Sequence, residues 1–255
     1  MNHSSFVKNL ALPLGLLLCL ISQNGFSFNK LKTYEPRTFE MSGGATYFET
    51  TSNFNDVGSK VNLISSNKYA LLDMFLETRY VFKDFWSVRA KAFISNAESK
   101  NTDFNRSNST LNTLEASGDW MVYRGFMDVI PELTMRYSLD QISNTQDSVI
   151  TNEGVLEIIA MLKAQNNYQW FSYYAGGGYD FRSERSSVMP WYVGAGMQWK
   201  HSFFGLELNG FQTITDDSDK GTTNEAIRNT LIQRVNGGSY RFYSVNPSHI
   251  QVQAN

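Results

Sequence analysis

Residues 69–97 read YALLDMFLETRYVFKDFWSVRAKAFISNA. Almost every second residue is apolar on both arms: Ala70, Leu72, Met74, Leu76, Tyr80 and Phe82, then Trp86, Val88, Ala90, Ala92 and Ile94. Between them stand Asp73, Phe75, Glu77 and Arg79, then Ser87, Arg89, Lys91, Phe93 and Ser95. Side chains alternate faces along a strand, so each arm is a strand with one apolar and one polar face. A tight turn at Lys83–Phe85 folds the arms together. Facing residues of an antiparallel pair share a side of the sheet. Pairing Phe82 with Trp86 sets Phe75 against Phe93, Glu77 against Lys91 and Arg79 against Arg89. That like-charge pair is tolerable only if acids from other strands reach it.

The same rhythm recurs outward in both directions. It marks Phe39–Thr50, Leu114–Tyr123, Leu133–Asp140, Glu153–Gln165, Tyr168–Phe181, Met189–Lys200 and Phe203–Ile214. Asn166-Asn167 reads as a two-residue hairpin turn, because Asn accepts a positive φ. It sets Leu162 beside Phe171, Ala160 beside Tyr173 and Lys163 opposite Trp170. His201-Ser202 reads as another turn, with Met197 opposite Leu206 and Gly196 opposite Glu207. Long polar connections are expected at Thr51–Asn67, Glu98–Thr113, Gln141–Asn152, Arg182–Ser187 and Asp216–Asn236. Short turns alternating with long loops, and lipid outside with a polar lumen inside, are the arrangement of a transmembrane barrel. The expected fold is all-β: an antiparallel up-and-down transmembrane β-barrel of about ten strands spanning 39–245. Thr222–Asn236 reads as a short helix in the last loop and Gly238–Val245 as the closing strand, with 246–255 a tail. The alternative makes Ala226–Val235 a strand and Ile250–Gln253 a twelfth.

At the N-terminus, Lys8 precedes the apolar run Leu10–Ile21, and Gly25-Phe26-Ser27 offers a cleavage site. The pattern is that of a signal peptide, residues 1–27, followed by a periplasmic segment, 28–38. The run is too short to span a bilayer, which takes about 20 apolar residues. The single cysteine, Cys19, lies within it. Leu18 before it argues against a lipid anchor, and cleavage after Ser27 removes thiol chemistry altogether. The formal charge of −2 becomes −3 without Lys8, and no basic run points to nucleic acid.

With this rhythm the chain resembles small single-chain bacterial outer-membrane β-barrels, porin-like in architecture. The resemblance covers nearly all of the chain after the signal peptide, and no family motif carries it. It implies a Gram-negative outer membrane, short turns in the periplasm, long loops outside, folding by the outer-membrane assembly machinery, and contact with lipid and lipopolysaccharide.

No constellation of catalytic residues emerges, so no enzyme is expected. Outer-membrane proteases of this architecture use acidic pairs with an Asp-His pair at the outer rim. Asp216-Asp217 and Asp219 sit at that rim, but His201 falls in a periplasmic turn and His249 in the tail. Outer-membrane phospholipases place His and Ser two apart on one strand face. His201-Ser202 and Ser248-His249 are adjacent and point to opposite faces. No cofactor or metal set is apparent. Gly176-Gly177-Gly178 lies within a strand, where glycine lets the strand bend or admits a bulky neighbour.

The lumen carries more information. Parity places Asp73, Glu77, Glu115, Asp119, Asp140, Glu153, Glu157, Asp180 and Glu207 inside, with Arg79, Arg89, Lys91, Arg136 and Lys163. Phe75, Phe93, Tyr123, Tyr174, Tyr192 and Phe203 join them. Enclosed charges must be paired or wet. Eight strands are just filled by side chains, so ten with this aromatic load leave at most a narrow passage. Trp86, Trp120, Trp170 and Trp199 gather near the short turns as an aromatic girdle. The expected function is a membrane scaffold for surface loops; the alternatives are a small-solute channel with mild cation preference and, more remotely, an outer-membrane hydrolase.

Overall fold

A computed structural model describes residues 34–54, 60–62, 68–100, 105–139, 149, 151, 154–183, 185–199, 202–215 and 249–254. The described residues form strands and no helix. The strands are β1 (Phe39–Thr50), β2 (Ser52–Phe54), β3 (Lys60–Asn62), β4 (Lys68–Lys83), β5 (Trp86–Lys100), β6 (Asn105–Trp120), β7 (Asp128–Ser138), β8 (Leu156–Tyr168), β9 (Phe171–Arg182), β10 (Val188–Trp199), β11 (Ser202–Thr213) and β12 (His249–Ala254). β2 and β3 make a separate ribbon within the connection from β1 to β4. The others form one antiparallel sheet in the order β1, β4 to β12. Nine long strands curl into a half-barrel, and short β12 extends it along β11.

The opening hairpin has the register its alternation demands. Phe75 faces Phe93, Glu77 faces Lys91, and Arg79 faces Arg89. A bulge between Val81 and Lys83 shifts the last pair to Lys83 with Trp86. Phe82 therefore stacks on Trp86 rather than pairing with it, centroids 4.1 Å apart and planes 5° off parallel. The same parity runs through the sheet. Leu76 and Leu162 on the outward face are 54% and 58% exposed, whereas Arg79 and Lys163 on the inward face are 5% and 6% exposed.

Several boundaries differ from those expected. The connection expected at Glu98–Thr113 is mostly strand: β5 runs to Lys100 and β6 starts opposite it at Asn105. The outward residues there are Asn96, Glu98, Ser107 and Ser109, so no apolar alternation advertises the strand. A bulge at Asn112 buries two successive residues, Asn112 and Thr113, and breaks the parity as well. β7 begins at Asp128, before Leu133, and carries Pro131 in its ladder opposite Leu162. Tyr123 is consequently outside the strands, bridged only to Val129, and is exposed rather than facing in.

The expected turn at Asn166-Asn167 is strand. β8 and β9 are joined at Gln169-Trp170, where Gln169 takes a φ of 55°. Leu162 therefore faces Gly177, Ala160 faces Tyr179, and Lys163 faces Gly176. Asn166 is held in the ladder by donating to the Phe126 carbonyl and to the Tyr173 hydroxyl. Between β10 and β11 the register moves by two residues: Met197 faces Phe204 and Gly194 faces Glu207. Both shifts are even in register, so the faces survive. At the far edge, residues 249–254 form β12 against β11, Phe211 facing His249, rather than a tail. Asp140, Glu153, the helix expected at Thr222–Asn236 and the strand expected at Gly238–Val245 lie outside the described residues.

Candidate functional site

The inward face is layered from the short-turn end to the long-connection end. Tyr34, Val81, Met121 and Ile130 cluster nearest the short turns. The segment before β1 folds in there, Arg37 N–H donating to the Val81 carbonyl and Val81 N–H to Thr38. Tyr69, Leu71, Ala97 and Val149, with Phe48 against them, cluster at the other end. The charges lie between these two apolar layers.

Arg79 and Arg89 are neighbours of like sign, and acids from three other strands reach them. Arg79 Nη1 contacts Glu40 of β1 at 3.1 Å and its Nη2 lies 3.9 Å from Asp119 of β6. Arg89 meets Glu77 at 3.6 Å, Glu115 at 3.1 Å and Glu132 at 3.5 Å. Glu77 also contacts Lys91, at 3.7 Å. Glu115 passes the chain to Arg136 at 3.1 Å, and Arg136 to Glu157 at 2.6 Å. Glu132 holds Lys163 at 2.6 Å. One network thus runs from β4 to β8, and the Arg89–Glu132 contact across β6 reflects the curl of the sheet. Lys91 lies 4.0 Å from the Phe75 ring centre and 4.7 Å from that of Phe93, so two π faces supplement its acid.

A second knot surrounds Asp119, which is 4% exposed. Ser87 accepts from Arg79 Nε at 2.8 Å and donates to Asp119 at 2.8 Å. Tyr34 donates to the same carboxylate at 2.6 Å, and its ring lies 5.1 Å from the Arg79 guanidinium carbon. Burial, then the adjacent Asp119 charge, pushes the Tyr34 hydroxyl well above the usual phenol range, so it remains a donor. Ser87 is wholly buried, so this part of the inward face is closed to solvent.

The opposite flank is built differently. Tyr174 and Tyr192 pack together and against Met161, and Tyr174 donates to Glu207 at 2.9 Å. Tyr174 directly faces Gly194, and Tyr192 faces Gly176. A Cβ on either glycine would strike the ring opposite. Gly44 has the same relation to Phe75. Gly176 therefore has the expected role of admitting a bulky neighbour.

Asp73 faces inward and accepts from Ser95 at 2.5 Å. Asp180 is buried, with Oδ1 making no hydrogen bond. Glu40, Glu132 and Arg182 belong to the site although alternation did not mark them, and Ser87, expected on the polar face, is fully buried there. Glu132 was hidden because Pro131 disguises the start of β7. Arg182 closes β9 and donates to the Ser186 carbonyl at 2.8 Å, so the connection after it is a braced corner.

Trp86 and Trp120 face each other on the outward side, and Trp170 sits in the Gln169-Trp170 turn. Trp199 ends β10 at the same level, opposite Ser202; its side chain and that of Phe203 lie outside the described residues. His249 is at the long-connection end of the sheet rather than remote from it, and Asp216–Asp219 and His201 lie outside the described residues. Among the described residues, no group of three or more His, Cys, Asp and Glu could hold a metal ion. Comparison with protein-family models and with curated proteins finds no match to this chain.

Proposed function

We propose that this chain is an integral outer-membrane β-barrel, closed by the approach of its β1 and β12 edges, that holds surface loops on a plugged lumen. The observation that carries the reading is the division between faces: large apolar side chains stand exposed outward while paired charges lie buried inward. A water-soluble sheet would have the reverse exposure. Ten strands in antiparallel order allow the two edges to meet with correct polarity.

The height of the apolar band supports it. Outward apolar residues on β5 run from Trp86 to Ile94, and polar ones follow from Asn96. Eight steps of about 3.3 Å, tilted by about 40°, span roughly 20 Å, near the band of about 25 Å that a bilayer requires. Beyond it lie solvated pairs such as Glu49–Lys68 at 3.0 Å. The apolar layers at both ends of the charge network favour a plug over an aqueous pore, since apolar constrictions expel water. Assembly machinery, lipopolysaccharide contact and loop ligands are part of the same proposal.

The test is fractionation and gel mobility with planar-bilayer recording. The reading requires an outer-membrane fraction, a heat-dependent shift in mobility, and no steady conductance. A protein that stays in aqueous buffer contradicts the membrane assignment; steady conductance with intact folding replaces the plug by a channel.

A further inference from the structure

The outward face is not uniformly covered. A depression of about 960 Å³, lined almost wholly by apolar atoms, crosses β5 to β9 near the short turns. The register shows how it arises. One outward row reads Trp86, Trp120, Pro131, Leu162, Gly177, and the next reads Val88, Gly118, Leu133, Ala160, Tyr179. Small residues form the floor and bulky ones the walls.

Two of the floor residues, Gly118 and Gly177, have no conformational reason to be glycine. Neither has a positive φ. A Cβ on Gly118 would come no nearer than 4.0 Å to any atom, and one on Gly177 no nearer than 3.8 Å. Gly176 and Gly194, by contrast, lie under tyrosine rings, and Gly178 lies against the Ala160 carbonyl. Glycine inside a strand costs stability, so space left open over these two calls for an occupant. The volume lies in the range of about 300–1,000 Å³ typical of ligand pockets.

The rim indicates the chemistry of that occupant. Lys83 pairs with Trp86 and so continues the outward row past the groove. Arg124 is exposed and donates to the Asp84 carbonyl at 3.2 Å, beside Phe85, which lines the groove. Asp84 lies in the same turn as Phe85. Two cations with an acid beside them, next to an apolar trough, match a zwitterionic headgroup above an acyl chain.

We infer that the groove is a site for one phospholipid of the leaflet at the short-turn end. Its acyl chain lies over Gly118 and Gly177, its phosphate meets Lys83 and Arg124, and its ammonium meets Asp84. The inference rests on the membrane-embedded reading above and goes beyond it, because it distinguishes one retained lipid from the general annulus.

The experiment is native mass spectrometry of the full chain purified in detergent, titrated with phosphatidylethanolamine and, separately, phosphatidylglycerol. The wild type should retain one phosphatidylethanolamine in preference to phosphatidylglycerol. Gly118→Leu with Gly177→Leu should stay folded by heat-dependent gel mobility and weaken that first adduct about tenfold, equivalent to about 1.4 kcal/mol. Lys83→Ala with Arg124→Ala should weaken it while leaving the groove open, which covers the case of a leucine variant that fails to fold. An adduct pattern unchanged in either folded variant overturns the site but not the membrane reading. A protein–protein dimer that the leucines abolish also overturns it, giving the groove to a second copy. Failure to enter detergent or membrane at all contradicts the membrane reading itself.

Discussion

At the scale of single residues, the inward charges are stabilising only as a set. Glu132 is 7% exposed and joins Lys163 at 2.6 Å to Arg89 at 3.5 Å. Removing it as Glu132→Ala should cost about 3–5 kcal/mol in urea unfolding, because buried Lys163 loses its nearest acid and Arg89 loses one of three. Replacing both members, Glu132→Met with Lys163→Met, should cost less than Glu132→Ala alone. Glycines supply a contrasting pair of tests. Gly194→Ala should destabilise by about 1–3 kcal/mol, since the new methyl meets the Tyr174 ring. Gly118→Ala should be neutral or stabilising by up to about 1 kcal/mol, since nothing lies closer than 4.0 Å. Much of this scale was legible from parity alone. The Glu77–Lys91 pairing and the need for acids around Arg79 and Arg89 follow from two strands and one turn. Glu132 and the Tyr34 donor were not legible, because a proline masked one and the other lies in a segment with no periodicity.

At the scale of elements, alternation determined faces more reliably than turns determined register. Asn166-Asn167 has the better turn chemistry, yet the turn forms at Gln169-Trp170. There the longer hairpin continues the ladder and Gly177 comes to face Leu162. Gln169 bears a left-handed backbone, so Gln169→Gly should stabilise by about 1 kcal/mol, read as an increased urea midpoint. The same substitution at Asn167, a strand position, should destabilise. β6 tests the band limit within one element. Ala116→Arg, outward on β6 and facing Ala90, places a cation at mid-depth and should cost about 2–4 kcal/mol of folding free energy. Ser109→Arg, outward on β6 but above the apolar band, should cost less than about 1 kcal/mol, measured by the same refolding titration into lipid vesicles. Ser87→Arg, by contrast, should disrupt folding although it faces inward, because Ser87 is fully buried between Arg79 and Asp119. The polar strand ends of β5 and β6 were illegible because Ser and Asn stand on both faces there.

At the scale of the whole molecule, the curled sheet is apolar outward and charged and packed inward, with apolar layers at both ends of the charge network. The up-and-down order and alternation of faces were legible from the sequence, because period-two patterning fixes them. The final strand was legible only as the alternative, Ile250–Gln253, since the segment is short and is separated from β11 by residues 214–248. The only cysteine lies at position 19, upstream of every strand, so single cysteines can report on each face. The most direct measurement labels Leu133→Cys, Thr134→Cys, Met135→Cys and Arg136→Cys on β7 with an environment-sensitive fluorophore. Labelling in denaturant before refolding into vesicles that contain brominated phospholipid makes every position reactive. The account predicts quenching at 133 and 135 and little at 134 and 136, a period of two residues with lipid on one face only. Equal quenching at all four positions, or none at any, would contradict a strand that faces lipid on one side and a packed, charged interior on the other.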